Sequence, residues 1–442
     1  METRNTKTQP LRLGYSRLLS FIEKNAQSSF LKTILTSLGS RAFVIVLGFF
    51  TSIIVARTLG PVGRGYLGVA TTLTGLGVQL GLLGFHSSNT FYVSKNPYLL
   101  PTMISNSILI SCIIGGFTTI ILFFMRYLII GDTTLPLPLL LISLALIPLN
   151  ICFLLFQGLL TGIQKFKHYN LSEVFNKSIH VFLILAFFLI GTFSVTTIIL
   201  FQGIAITVSL LFMFRAFSQP LKTWKAPSFS LIKKNFFYGG KSYLACFFGW
   251  GIIRMDVFIL QRFQGFEEVG YFSVALSLID ILLMFSAVIA GILLPKLCVE
   301  TDLQKKWALT KKTTLWSTTI ILIGSLLLTL WKAPIEWMFG PQFIPCHQAL
   351  LFLLPAFILL SVETILVQFI ISIRLPWSLV VIWAVALILK LGISLGLTPS
   401  IGIAGIGISG ALTYLFVLAA ICYSIRSILK QKQGETPLDA PT

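Results

Sequence analysis

The chain has 442 residues, of which 56% are hydrophobic and only 11% charged, with a formal net charge of +19. A soluble domain carries about 25% charged residues; here the apolar residues gather into runs near 20 residues, the length that crosses a ~30 Å hydrocarbon core, which excludes a soluble fold. The basic excess would suit nucleic acid, but most of the 33 Lys and Arg residues fall on alternate connections between the apolar runs. That is the positive-inside pattern of a membrane protein with both termini in the cytoplasm, and it leaves anionic headgroups rather than nucleic acid as the basic surface's contact.

Residues 1–35 read as a basic cytoplasmic tail, with Leu11, Leu18, Leu19 and Ile22 placed so that it could lie along the membrane surface. About twelve spans follow, at 36–57, 66–88, 104–127, 136–159, 177–193, 196–216, 238–261, 271–294, 313–332, 348–372, 376–397 and 402–425. The fifth and sixth are separated only by a tight turn near Ser194. The longest cytoplasmic connection, Phe217 to Phe237, carries Lys222, Lys225, Lys233 and Lys234, with Pro220 and Pro227 as helix breakers. It divides the spans six and six. The expected organisation is a six-helix N-terminal lobe at 36–217, a basic linker at 218–237, a six-helix C-terminal lobe at 238–426 and a cytoplasmic tail at 427–442. The fold class is an all-α integral membrane protein. A second basic connection, Lys296 to Lys312, follows the eighth span.

The two lobes carry a repeat. SIIVARTLGPVGRGYLGVA at 52–70 lies over DVFILQRFQGFEEVGYFSVA at 256–275 with an offset of 205 positions. Arg57 then meets Arg262, Gly60 meets Gly265, Gly65 meets Gly270, Tyr66 meets Tyr271 and Ala70 meets Ala275. Each copy reads as an apolar helix, a short Gly-bearing turn and a second helix. The glycines serve the turn, because Gly60-Pro61 ends a helix and Gly tolerates positive φ, while the tyrosines suit the membrane interface and the arginines the outer surface. Duplicated membrane units of this kind point to a two-lobed transporter that exposes its cargo to alternate sides.

Several other classes are excluded. The six cysteines form no CxxC pair, so neither a metal site nor a disulfide framework is expected. The stretch 401–411, IGIAGIGISGA, contains GxGxxG at Gly405, Gly407 and Gly410, but no strand precedes it, and close helix packing is the better reading. The outer connections are short, with Asp132 and Glu336 alone on theirs, and neither a P-loop nor a Ser/His/Asp arrangement is present. No enzyme is expected.

Ionisable residues inside spans are costly and mark either structural pairs or a wet cavity. Arg254 and Asp256 lie in the seventh span, Asp280 in the eighth, Glu363 in the tenth and Lys390 in the eleventh. Arg254 and Asp280 sit at equal depth, about 13 Å below the outer end of an antiparallel pair, so they could meet. Asp256 is about 200° around the helix from Arg254. Glu363 and Lys390 form a second candidate pair. Arg254, Lys390 and Arg41 are the candidate anion-binding residues, with Arg41 close enough to the cytoplasmic end of span one to snorkel. Asp256, Asp280 and Glu363 are candidates for coupling to H+ or Na+ or for ion pairing. No cofactor or metal is expected. His86, Asn89, Asn150, Gln157, Gln202 and Gln368 read as helix–helix glue.

ARTLGPVGRGYLGVA at 56–70 resembles the first helical hairpin of the bacterial polysaccharide exporters, the oligosaccharide-lipid flippase family. YGGKSYLACFFGWGIIRMDVFILQRFQGFEEVGYFSVALSLIDILL at 238–283 resembles the same family's seventh and eighth helices, including its RxD at Arg254-Met255-Asp256 and the VGYYSVA-like segment at Val269 to Ala275. LLPKL at 293–297 also fits, whereas QGF at 264–266 departs from the family's Leu-Gly-Pro. The family shares a superfamily and a two-lobed fold with multidrug exporters and peptidoglycan-precursor flippases, the latter having two more spans. The resemblance implies a flippase in a bacterial inner membrane, moving a polyprenyl-diphosphate-linked oligosaccharide to the periplasmic leaflet for surface polysaccharide such as O-antigen, with Arg254 at the diphosphate. Glycan polymerases or glycosyltransferases are the implied protein partners. The alternatives are a drug–cation antiporter of the same fold, a membrane glycan polymerase or ligase, and a scaffold for glycan assembly.

Overall fold

The computed structural model describes residues 9–131, 135–191, 194–217, 225–373 and 376–434; within these, the side chains of 9–35, 241–242 and 431–434 lie outside the description. Asp132, Pro220, Lys222 and the final residues 435–442 also lie outside it, as do the side chains of Leu11, Leu18, Leu19 and Ile22. No strand occurs among the described residues. This follows from the solvent, since a segment crossing hydrocarbon must satisfy its own backbone groups, which a helix does within a single segment.

The N-terminal lobe is built from α1 (Gln9–Leu82), α2 (Phe85–Lys95), α3 (Leu100–Ile130), α4 (Leu137–Gly162), α5 (Phe166–Ile190) and α6 (Val195–Ala216). The C-terminal lobe contains α7 (Phe229–Arg254), α8 (Asp256–Gln264), α9 (Phe266–Val299), α10 (Leu303–Thr329), α11 (Lys332–Phe339), α12 (Pro345–Ile373), α13 (Trp377–Ile401) and α14 (Ile403–Gly434). Among the described residues, eleven stretches are long and apolar enough to cross a membrane. The first, Thr36–Leu82, has 47 residues, about 70 Å of helix, over twice the hydrocarbon thickness. It kinks at Gly60 (φ 67°, ψ −178°), so it supplies two crossings, and the total is twelve.

The lobes repeat one another in packing as well as sequence. In the first, α4 packs against α2, α3 and α6, α5 packs against α6, and α1 packs against α5. In the second, α12 packs against α9, α10 and α14, α13 packs against α14, and α7 packs against α13. The turns match too. Gly265 (φ 88°, ψ −177°) has the backbone conformation of Gly60, a left-handed φ that a side chain resists. The lobes meet along α1 with α9 and along α2 with α7.

Several span boundaries differ from the sequence reading: the second span, read to 88, breaks at Leu83 and Gly84, and the ninth, read from 313, begins at Leu303. Helix α5 begins at Phe166 rather than at 177, which carries Lys177 to its middle. The seventh span is interrupted at Met255, where α7 ends and α8 begins. The tight turn near Ser194 is present, with its hydroxyl accepting from the Thr197 amide at 3.1 Å as a helix N-cap.

The Gly405/Gly407/Gly410 stretch lies at the start of α14 and serves packing, as expected. A Cβ at Gly407 would collide with the Phe352 carbonyl on α12, and one at Gly410 would come within 3.0 Å of Ala356 Cβ. Gly392 on α13 has nothing nearby. Gly407→Ala is therefore expected to destabilise the protein by roughly 1–3 kcal/mol through overpacking, while Gly392→Ala leaves stability unchanged or gains about 0.5–1 kcal/mol from helix propensity. Thermal unfolding of the two variants in one detergent checks this.

Candidate functional site: a cationic cavity beside a sealed ion pair

A cavity of about 360 Å³ opens between α1, α5 and α6 of the first lobe and α9 of the second. Its volume falls in the range of small-ligand sites, about 300–1,000 Å³. Arg64, Lys177 and His180 line it with Ser52, Asn176, Gln202 and Ser277, and no Asp or Glu is among its lining residues.

Each cation is placed by local structure. Arg64 lies four residues past the Gly60 kink, where α1 has re-entered the membrane, and its side chain turns toward the interior. Its Nη2 donates to Ser52 Oγ at 3.2 Å in its own lobe and to Ser277 Oγ at 3.3 Å in the other. The two serines are themselves 3.1 Å apart. The Nε of Arg64 is buried and has no hydrogen-bond partner. Lys177 lies near the middle of α5, about 16 Å along it, and its Nζ would stand 3.5 Å from a Cβ at Gly48, so the bare α-carbon of Gly48 makes room for it. Lys177 and Arg64 feel each other's charge across the cavity. His180, one turn further along α5, sets its Nε2 3.3 Å from the Ile198 carbonyl. A carbonyl only accepts, so that nitrogen carries the proton.

The sequence-predicted residues are placed differently. Lys390 does not pair with Glu363. Its ammonium meets Asp256 Oδ2 at 3.1 Å, the sole ion pair among the described residues, with both side chains almost fully buried. It also donates to the Ile406 carbonyl at 2.9 Å and to Ser409 Oγ at 2.8 Å. Ser394 completes the cluster, 2.7 Å from Ser409 Oγ and 3.5 Å from Asp256 Oδ1. The changed partner follows from helix packing: Asp256 lies on α8, which packs against α13, and this brings its carboxylate to Lys390. With three oxygens around it, Lys390 has no donor to spare for a ligand.

Glu363 on α12 is buried, and its Oε1 has no hydrogen-bond partner. Arg254 is half-buried at the end of α7, and Asp280 is exposed on α9. Asp280 is within electrostatic reach of Arg254, as their equal depth implied, but the two form no ion pair. Arg41 is exposed on α1 and close enough to affect Tyr169 near the start of α5, the placement of a snorkelling side chain. Neither Arg41 nor Arg254 lines the cavity. Of the residues read as glue, Asn89 donates across helices to Ser107 Oγ at 2.9 Å, whereas Gln202 lines the cavity. Arg64, Lys177 and His180 were missed. The signal available was the helical periodicity of 166–176, which extends the fifth span and puts Lys177 inside the membrane.

Among the described residues, membrane-length helices form two repeated lobes around an inter-lobe cavity, a fold that solved structures share. The chain is similar to lipid II flippase MurJ in an inward closed conformation (TM-score 0.71, 13% identity, 89% of this chain and 87% of that one). It is also similar to a multidrug resistance MATE family transporter in the inward-facing conformation (TM-score 0.69, 14% identity, 88% and 96%) and to one in the outward-facing conformation (TM-score 0.62, 13% identity, 92% and 96%). No curated protein matches it in sequence. Residues 30–298 match the family described as polysaccharide biosynthesis protein, and the chain belongs to that family.

Removing one member of a buried pair leaves an uncompensated charge, at a cost of about 3–5 kcal/mol. Lys390→Met alone should therefore lower stability by that order, and the double variant Lys390→Met/Asp256→Leu should recover most of it. Chemical or thermal unfolding of the single and double variants reads the difference; a double variant no better than the single would contradict the pairing.

Proposed function

We propose that the protein is an alternating-access flippase for a polyprenyl-diphosphate-linked oligosaccharide, carrying it from the cytoplasmic to the periplasmic leaflet of a bacterial inner membrane for surface polysaccharide assembly. One observation carries the reading: Arg64 and Lys177 line a membrane-embedded cavity with no counter-charge among the lining residues. Such cations are costly unless an anion or water joins them, and a diphosphate supplies both charge and acceptor oxygens. Guanidinium suits phosphate through its planar donor fork, and here the Nε edge is unengaged. The Ser, Asn and Gln side chains offer hydrogen bonds to sugar hydroxyls, and the lipid tail can remain in the bilayer. Family membership supports a role in polysaccharide biosynthesis.

The positive-inside distribution supports a cytoplasmic side for both termini, and no catalytic role is assigned. Coupling to H+ or Na+ would fall to Glu363, the buried carboxylate with an unpartnered oxygen, rather than to Asp256, which is occupied by Lys390. The antiporter reading is the weaker one, since the cavity's positive lining repels an organic cation. A glycan polymerase or glycosyltransferase would receive or supply the cargo on either face.

In vesicles carrying the lipid-linked oligosaccharide, Arg64→Ala and Lys177→Ala are each expected to slow crossing by about tenfold or more, the weight of a charge-assisted hydrogen bond, with Arg64→Lys partly retaining it. Full-rate crossing by the Arg64→Ala/Lys177→Ala double variant would overturn the assignment of the site. Efflux of organic cations with no glycan crossing would transfer the function to the antiporter reading.

A further inference from the structure

The repeated turns close the same end of the molecule against each other with near two-fold symmetry. A Cβ at Gly65 would collide with the Phe266 carbonyl, and one at Gly270 would collide with the Pro61 carbonyl. Gly65 and Gly270 are repeat mates, and so are Pro61 and Phe266, each pair at the 205-residue offset. Each copy thus presses a bare glycine onto the other's turn. Tyr66 and Phe266 stack over the junction with ring centroids 4.0 Å apart. Backbones in such contact admit no cargo between them.

The repeated arginines extend this closure. Arg57, in the first lobe, donates from Nε to the Met338 carbonyl at 2.7 Å and from Nη2 to the Trp337 carbonyl, both on α11 of the second lobe. Arg262, its mate in the second lobe, donates from Nη1 to the Leu128 carbonyl at 3.3 Å, near the end of α3 in the first. Each arginine therefore reaches out of its own lobe to backbone carbonyls at a helix C-terminus of the other, where unpaired carbonyls and the helix dipole favour a cation. No carboxylate takes part, and bonds of this kind at a solvent-exposed edge can be made and broken without stranding a buried charge.

We propose that Arg57 and Arg262 are the two latches of the outer gate, that Gly65 and Gly270 are its sealing faces, and that both arginines must release for the cavity to open outward. Read from sequence, these arginines belong only at the outer surface. The proposal rests on the transporter reading for the existence of an outward-open state, but not on the identity of the cargo. The latches are unequal. Arg57 makes two bonds and Arg262 makes one, at 3.3 Å.

The test is accessibility of Thr71, which lines the cavity, to a membrane-impermeant thiol reagent. The full chain carrying Thr71→Cys is placed in sealed vesicles with its outer face outward. Labelling is read peptide by peptide by mass spectrometry, so that the six native cysteines do not interfere. Outside labelling is expected to be slow. Adding Arg57→Ala should speed it roughly tenfold, in keeping with loss of charge-assisted hydrogen bonds, Arg262→Ala should speed it less, and the double variant should exceed either. Bridging Tyr66→Cys to Phe266→Cys with a short bis-thiol reagent should return it to the slow rate even in the double variant. Arg57→Lys, which keeps a cationic donor, should stay close to the parent and shows that the alanine effect is not a folding defect. Unchanged outside labelling in the double arginine variant would overturn the proposal, as would rapid labelling that persists through the Tyr66–Phe266 bridge. Because labelling needs no cargo, failure here leaves the flippase reading to be judged by its own assay.

Discussion

A charge inside a bilayer must be paired or hydrated, and the arrangement of this protein's interior follows from that constraint. The chain meets it in two ways. In the second lobe Lys390 is surrounded by Asp256, Ser409 and the Ile406 carbonyl, and the result is a sealed polar cluster holding α8, α13 and α14 in register. In the first lobe Arg64 and Lys177 have no carboxylate beside them and line an open cavity instead. A cation on a membrane helix is therefore sealed into a polar cluster in one lobe and faces a cavity in the other. What separates them is whether a carboxylate lies within reach.

The repeat supplies the second constraint. Glycine is required where two backbones approach with no space for a side chain, and the two copies satisfy this reciprocally at Gly65 and Gly270. A second close approach joins Gly84 to Gly239, along α2 and α7. The lobes thus touch through bare backbone at more than one place, leaving the polar cavity between the contacts. Packed interfaces of this kind are bistable rather than continuously deformable, which is the mechanical property that alternating access needs.

Much of this was legible in the sequence because it is periodic or repeated. Twelve spans follow from hydropathy, although Gly60 hides one of them within a single long helix. The 205-residue offset identified Gly60/Gly265, Gly65/Gly270 and Arg57/Arg262 as equivalent; the structure gives the glycine pairs matching geometry and sends each arginine to backbone carbonyls of the other lobe. The partners of buried charges were not legible, because they depend on the rotation of each helix about its axis and on which helices pack together. Depth alone allowed Glu363 to meet Lys390; the packing of α8 on α13 brings Asp256 to it instead. Lys177 and His180 were missed for a related reason. A boundary at 177 cut α5 short by three turns, so that Lys177 looked like a flanking charge. Arg64 was hidden by its neighbours, lying in a turn motif whose glycines and tyrosine all suggest an outer loop.

The position of Arg64 joins the two constraints. It is the residue before Gly65, and its guanidinium bonds one serine from each lobe. The cation lining the cavity and the glycine sealing the outer end therefore lie within one turn of the same helix, on a segment whose direction is set by the left-handed backbone of Gly60. Ser277 lies on the opposite side, two turns beyond Gly270 on α9. Separation of the lobes at the glycines moves Ser277 away from Arg64, which leaves the guanidinium short of an acceptor inside the membrane. An anion in the cavity supplies that acceptor. The cavity's chemistry and the closure of the outer end are, on this geometry, two parts of one contact between repeats.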